Sequence, residues 1–148
     1  MRRYPLWILV AACVVALAGC GASAGAQTTQ TPADCGTVTS NARNLVTDPG
    51  ATQAEGCLRD GFTACRVDTV MIFEEGGLDW HYQHHLKVTH AGGGCAIADE
   101  FTGWVGSPSH GVSGQGQCSH LDQRGADLVV SGCTSGRDMF IIPGYTTP

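Results

Sequence analysis

Six cysteines between positions 35 and 133 constrain the fold of this chain more than any other feature of its sequence. The chain begins with Arg2, Arg3 and an uncharged apolar stretch from Leu6 to Ala18, a pattern typical of a signal peptide over residues 1–19. Export takes the rest of the chain to an oxidising compartment, where cysteines pair. We therefore predict three disulfides among Cys35, Cys57, Cys65, Cys95, Cys118 and Cys133.

The order of these cysteines suggests one pairing, although six cysteines allow 15 connectivities and the sequence does not choose among them. Our expectation follows the chain and joins Cys35 to Cys57, Cys65 to Cys95, and Cys118 to Cys133. Cys57 and Cys65 are not expected to pair with each other, because eight residues of helix would separate them by about 12 Å. A structural zinc site is not expected, since no two cysteines have C-x2-C spacing.

The apolar stretch ends in Leu17-Ala18-Gly19-Cys20, which resembles the lipobox of bacterial lipoproteins. The resemblance implies cleavage before Cys20 and a lipid on its sulfur. It also implies a location at the bacterial cell membrane or the outer membrane, facing the periplasm or the cell exterior. Two or three acyl chains hold a protein stably, because each buried methylene contributes about 0.8 kcal/mol. The alternative is an ordinary secretory signal cleaved after Ala24.

Beyond the signal, the chain is expected to form a tether and one domain. We interpret residues 20–33 as the lipidated cysteine and a flexible tether, and residues 34–148 as a single disulfide-rich domain. Loss of Arg2 and Arg3 with the signal leaves 6 of the 8 basic residues against 13 acidic ones, so the formal charge changes from −5 to −7. This charge disfavours nucleic acid as a partner. The expected partners are the membrane, through the lipid anchor, and an envelope protein or glycan.

Two hydrophobic periods predict the secondary structure. Apolar residues recur at spacings of three and four between Asp48 and Cys65, which predicts one helix with Asp48 as N-cap and Pro49 as its first residue. After Cys65 the period changes to two, which predicts strands at Arg66–Glu74, Asp79–His90, Cys95–Trp104, Gly116–Leu121, Ala126–Cys133 and Met139–Ile142. The Gly- and Ser-rich stretch Gly103–Gly116 is expected to be a mobile loop. We therefore expect an α+β fold, in which one N-terminal helix packs on a curved antiparallel β-sheet meander stapled by about three disulfides.

Four histidines that fall within ten residues are the first candidate site: His81, His84, His85 and His90. Histidine is the commonest side-chain metal ligand. On a strand, His81 and His85 share the polar face but lie roughly 13 Å apart, so a zinc or copper site would need Asp99 or Glu100 from a neighbouring strand. The alternative is that His81 and His85 are solvated and that His84 is hydrogen-bonded on the apolar face.

A second candidate is the predicted loop, where Trp104 and His110 would form a binding patch. No catalytic residues are predicted, because Ser107, Ser109 and His110 share a flexible segment that does not preorganise a triad. The overall resemblance is to short, Cys-rich bacterial lipoproteins, and it implies no activity.

We therefore expect a lipid-anchored cell-envelope protein that is a non-catalytic binding or structural module, and not an enzyme. The first alternative is a metal-binding envelope lipoprotein that uses the histidine-rich strand 81–90. A weaker alternative is a small hydrolase. No cofactor is expected, apart from zinc or copper in the metal-binding alternative.

Overall fold

A computed structural model describes residues 31–41, 43, 45–106, 111–134 and 139–145. The predicted signal peptide, Cys20 and most of the predicted tether lie outside the described residues. Within those residues, no helix has the length and apolar character needed to cross a membrane.

Seven strands form one curled sheet, a half-barrel in which each strand lies beside the next strand in the chain. They are β1 (Asp34–Ser40), β2 (Val70–Gly76), β3 (Trp80–Ala91), β4 (Gly94–Val105), β5 (Gly111–Arg124), β6 (Asp127–Cys133) and β7 (Met139–Ile142). Strands β1 and β2 pair in parallel, because helix α1 (Ala51–Thr63) lies between them in the chain and returns it to the same end of the sheet. The other neighbouring strands pair antiparallel.

The expected α+β fold is wrong, because the fold is mainly β, although one helix does pack on the sheet. Strand residues far outnumber the residues of the single helix, and two segments extend the sheet beyond the prediction. Asp34–Ser40 adds a strand that the sequence analysis did not predict, and β5 begins at Gly111, inside the stretch expected to be a loop. Rings from neighbouring strands cover the glycines here: a Cβ on Gly103 would lie 2.4 Å from the Tyr82 ring, and one on Gly114 would lie 2.5 Å from the Phe101 ring. The neighbours thus supply packing that this segment's own pattern lacks.

Helix α1 begins two residues later than predicted. Its N-cap is Gly50 and no side chain caps it, because the Asp48 carboxylate instead accepts a hydrogen bond from the Gly50 N–H at 2.8 Å. Leu58 is fully buried on the face that packs against the sheet. Gly61 lies on the same face, and a Cβ there would come within 2.6 Å of the Thr69 side chain. The absence of a side chain at Gly61 therefore lets the helix approach the sheet closely.

The core lies inside the curl, between α1 and the inner face of the sheet. On β3 the alternation follows the prediction, since Leu86 and Val88 are fully buried and His85 and Lys87 are exposed.

Three disulfides tie the elements together, and they join the same cysteines that we paired in chain order: Cys35–Cys57, Cys65–Cys95 and Cys118–Cys133. The first links β1 to α1, the second links the end of α1 to β4, and the third links β5 to β6. On a chain-entropy basis each contributes about 3 to 4 kcal/mol.

Candidate functional site

The residues of the predicted metal site lie on both faces of the sheet. His85 of β3 is in register with Glu100 of β4 on the outer face, where the His81 ring also lies 4.6 Å from the Trp104 ring. Asp99 faces the other way and is buried on the inner face. The structure therefore brings His85 and Glu100 together and separates Asp99 from them.

The structure describes only one of the two residues of the second candidate, the predicted loop patch. Trp104 lies within strand β4, not in a loop. His110, together with Ser107 and Ser109, lies outside the described residues.

His84, another histidine of the strand 81–90, belongs to a buried charged cluster on the inner face. Its Nδ1 lies 3.1 Å from both carboxylate oxygens of Asp99, and its Nε2 lies 3.8 Å from Oε1 of Glu75. Three aromatic rings surround the imidazole with their centroids within 6.0 Å of its own: Phe73, Phe101 and Phe140.

The charge state of His84 limits what this cluster can do. Burial alone would lower the pKa of His84, but its contacts with the carboxylates of Asp99 and Glu75 outweigh burial and raise the pKa to about 9. The ring is therefore a cation at neutral pH, and each nitrogen faces a carboxylate. An imidazolium has no free lone pair with which to accept a proton or bind a metal. We assign this cluster to the stability of the inner face.

Helix α1 places a different buried acid against a cavity of about 160 Å³. Glu55 is only 5% exposed, and its Oε1 has no hydrogen-bond partner among the described residues. The other lining residues come from α1, from the β5–β6 turn region and from the segment after β7: Thr52, Gly56, Arg59, Gln123, Ala126 and Tyr145. The cavity therefore lies where the curled sheet closes on the helix.

The electrostatics of this cavity favour a proton or a cation. Burial, and secondarily the charge of Asp127, raise the pKa of Glu55 to about 7. Arg59 does not neutralise this acid, because its guanidinium donates a hydrogen bond to Oε1 of Gln123 and also lies 3.5 Å from the Asp60 carboxylate. The Glu55 carboxyl therefore exchanges between its neutral and ionised forms near pH 7.

The His84 cluster and the Glu55 cavity differ in whether their buried polar atoms have partners. The charge of His84 is met by carboxylates within the protein, whereas Oε1 of Glu55 has no hydrogen-bond partner in the described part of the chain. A buried polar atom without a hydrogen bond costs about 1 to 3 kcal/mol, so it requires an explanation. A ligand that donates a hydrogen bond to Glu55 would remove this cost. The Glu55 cavity is therefore the candidate functional site.

Glu55 was not among the predicted site residues, although the sequence contains a signal for it. Glu55 follows Ala51 by four residues and precedes Leu58 by three, so helical spacing places it on the buried stripe. An acidic residue within such a stripe is the observation that would have identified the site.

A second set of ligand-type side chains lies at the other end of β3. Nδ1 of His90 lies 3.3 Å from Sγ of Cys65, and one ligand atom from each of Cys65, His90 and Cys95 lies within 4.8 Å of the others. His90 and Cys95 face each other in register across β3 and β4. His90 is one of the four clustered histidines of the sequence, but its proximity to the two cysteines was not predicted.

Comparison of the chain with known protein families, curated proteins and solved structures gives no match.

Proposed function

We propose that this protein is a lipid-anchored cell-envelope protein that binds a small cationic ligand in the Glu55 cavity. The observation that carries the binding function is Glu55, which lines a cavity, is only 5% exposed and has an Oε1 without a hydrogen-bond partner among the described residues. The lipid anchor is supported by the lipobox-like sequence before Cys20. Export to an oxidising compartment is supported by the three disulfides.

The volume of the cavity limits the size of the ligand. An engineered cavity of about 150 Å³ in another protein holds one benzene molecule. A cavity of about 160 Å³ therefore suits a ligand of roughly six heavy atoms. A larger ligand would have to insert one end and leave the rest outside.

The charge of the cavity selects a cation. Ionised Glu55 lies near Asp127, while Arg59 is already bound to Gln123 and Asp60. A primary ammonium group donates three hydrogen bonds and supplies the counter-charge that a buried carboxylate needs. We therefore infer that the ligand carries a primary ammonium on a short carbon chain.

Binding of such a ligand should depend on pH, because only ionised Glu55 attracts it. With a pKa of about 7, roughly one tenth of Glu55 is ionised at pH 6 and roughly nine tenths at pH 8. Apparent affinity scales with the competent fraction, so it should rise about tenfold between these pH values.

The experiment is a titration of the ¹⁵N-labelled protein with n-propylammonium at pH 6 and pH 8, followed by NMR. We expect saturable shifts in α1 and in the β5–β6 turn, with about tenfold tighter binding at pH 8. Glu55→Gln keeps the shape but removes the charge, and it should weaken binding at pH 8 at least tenfold and abolish the pH dependence. Glu100→Gln, on the exposed outer face of β4, is the matched control and should bind like the wild type. Equal binding by Glu55→Gln, or no saturation at millimolar ligand, would refute the proposal.

The anchor is tested separately by growing a bacterial host that expresses the protein with alkyne-tagged palmitate. Label should appear on the wild type and on Cys13→Ser, and it should be absent from Cys20→Ser. Cys13→Ser is the matched control because it removes a thiol from the same N-terminal segment. Retention of label by Cys20→Ser would contradict lipidation at that cysteine.

The two alternatives from the sequence stay predictions. Metal binding by the outer face of β3 predicts that His81→Ala with His85→Ala lowers the metal content of the purified protein. The hydrolase alternative names no catalytic residues, and the segment with Ser107, Ser109 and His110 lies outside the described part of the chain.

A further inference from the structure

We propose that Cys65, His90 and Cys95 form a redox-gated zinc site, in which the disulfide excludes the metal and its reduction creates the ligands. This site lies apart from the Glu55 cavity and does not depend on the proposed function. It also differs from the metal site predicted from His81 and His85 with Asp99 or Glu100, because it contains none of these four residues.

The three side chains lie close to the spacing that zinc requires. Two sulfurs bound to one zinc ion at about 2.3 Å in tetrahedral geometry lie roughly 3.8 Å apart, and a bound imidazole nitrogen lies at a similar distance from each. Here the three ligand atoms lie within 4.8 Å of one another, and Nδ1 of His90 is 3.3 Å from Sγ of Cys65. Opening the disulfide requires the two sulfurs to separate by only about 2 Å, which side-chain rotation can provide.

The backbone holds these ligands in place whether or not the disulfide is formed. His90 and Cys95 are paired in register next to the tight turn that joins β3 and β4. Cys65 follows the C-cap of α1, Ala64, and its own N–H is hydrogen-bonded to the Phe62 carbonyl. These main-chain bonds do not depend on the sulfur–sulfur bond, so reduction leaves a preformed set of ligands.

The site is also accessible. His90 is exposed, and both cysteines are partly exposed. In the part of the chain that the structure describes, the Cys35–Cys57 and Cys118–Cys133 pairs have no third ligand at this distance. The histidine therefore distinguishes the Cys65–Cys95 pair from the other two.

The proposed reductant of the Cys65–Cys95 disulfide is a dithiol. The dithiol gives two electrons and two protons to the Cys65–Cys95 bond, which becomes two thiols, and the dithiol is oxidised to its own disulfide. Zn²⁺ then binds both sulfurs as thiolates and the neutral imidazole of His90, and two protons are released. Three protein ligands leave the fourth tetrahedral position to water or to an outside ligand.

The experiment uses the full chain with Cys13→Ser and Cys20→Ser, so that only the six paired cysteines contribute thiols. The protein is reduced with a phosphine, which supplies no competing thiol, and is titrated with Co²⁺ without oxygen. We expect one Co²⁺ per chain, with thiolate-to-cobalt charge-transfer absorption that Zn²⁺ abolishes. The oxidised protein should show no such absorption, and an equal signal before reduction would overturn the redox gate.

Because reduction opens all three disulfides, variants identify the ligands. Cys65→Ser with Cys95→Ser should abolish the cobalt absorption, whereas Cys35→Ser with Cys57→Ser is the matched control and should retain it. Retention of the absorption without Cys65 and Cys95 would overturn the proposal.

His90→Ala gives a test that does not depend on removing a disulfide. It keeps all six cysteines, and its fold can be checked by circular dichroism in the oxidised state. Its affinity for Zn²⁺ after reduction should fall at least tenfold, while His85→Ala, on the outer face of the same strand, should bind like the parent. Equal affinity of His90→Ala and the parent would remove the histidine from the site and overturn the proposal.

Discussion

Replacing Glu55 with glutamine should remove a defined part of the pH dependence of folding. The pKa of Glu55 is raised from 4.5 to about 7, mainly by burial. The folded state therefore holds this proton more tightly than the unfolded state does. The resulting stabilisation is fully present below pH 4.5 and is lost as pH rises through 7. The difference between these pKa values corresponds to about 3 kcal/mol.

The assay is urea denaturation of the disulfide-intact wild type and of Glu55→Gln at a series of pH values from 4.5 to 8. The free energy of unfolding of the wild type should fall by about 3 kcal/mol relative to the variant across this range. Taking the difference between the two proteins cancels other titrations. The main other titrating group is His84, whose pKa is about 9. Its stabilisation is fully present below pH 6.5 and is lost as pH rises through 9.

Parallel pH profiles for the wild type and Glu55→Gln would refute the inference that Glu55 is a buried acid with a raised pKa. A wild type that gains stability relative to the variant as pH rises would show that the ionised carboxylate has a partner in the folded state. Saturating n-propylammonium should reduce the loss above pH 7, because a bound cation stabilises the ionised form.

Three further predictions concern packing and charge inside the curl. Asp99→Asn should lower the pKa of His84, measured by NMR, and an unchanged pKa would contradict this account. It should also reduce the free energy of unfolding at pH 7 by about 3 kcal/mol, because a buried cation loses its nearest counter-charge. Gly61→Ala should destabilise the protein by about 1 to 3 kcal/mol through overpacking. Gly56→Ala in the same helix, whose Cβ would have no neighbour closer than 4.0 Å, should stabilise it by up to about 1 kcal/mol. Effects of the same sign would contradict the close approach of Gly61 to Thr69. Gly114→Ala should also destabilise by about 1 to 3 kcal/mol in urea denaturation, because its Cβ would lie 2.5 Å from an aromatic ring, and wild-type stability would refute that contact.

Local pattern predicted the elements that carry their own hydrophobic period. Each of the six predicted strands corresponds to an observed strand, and Met139–Ile142 has the predicted bounds. The pairing of cysteines in chain order also matches the structure, because a meander keeps sequential elements adjacent. Strand β1 and the first residues of β5 were missed because their pairing depends on neighbours that no local pattern describes. These two segments extend the sheet beyond the strands that were predicted.

The position of Asp99 on the same face as His84 could have been predicted from the turn between β3 and β4. Gly92 and Gly93 both have positive φ, as a two-residue hairpin turn requires, and this turn places Asp99 opposite Leu86. If the turn were shifted by one residue along the glycines at 92–94, the residue opposite Asp99 would change by two positions. Asp99 would therefore stay on the same face of the sheet. Register alone therefore separates Asp99 from His85 and assigns it to the face of His84.

The Glu55 cavity and the Cys65–His90–Cys95 cluster do not follow from register in this way. Each combines residues in or just after α1 with residues of the sheet or its connections, so each depends on the position at which the helix docks on the curled sheet. That position is set by contacts such as Gly61 against Thr69, between segments whose order along the chain does not determine their geometry. Helical spacing can identify Glu55 as a buried acid, but only the docked helix shows that this residue lines a cavity and that its Oε1 has no partner among the described residues.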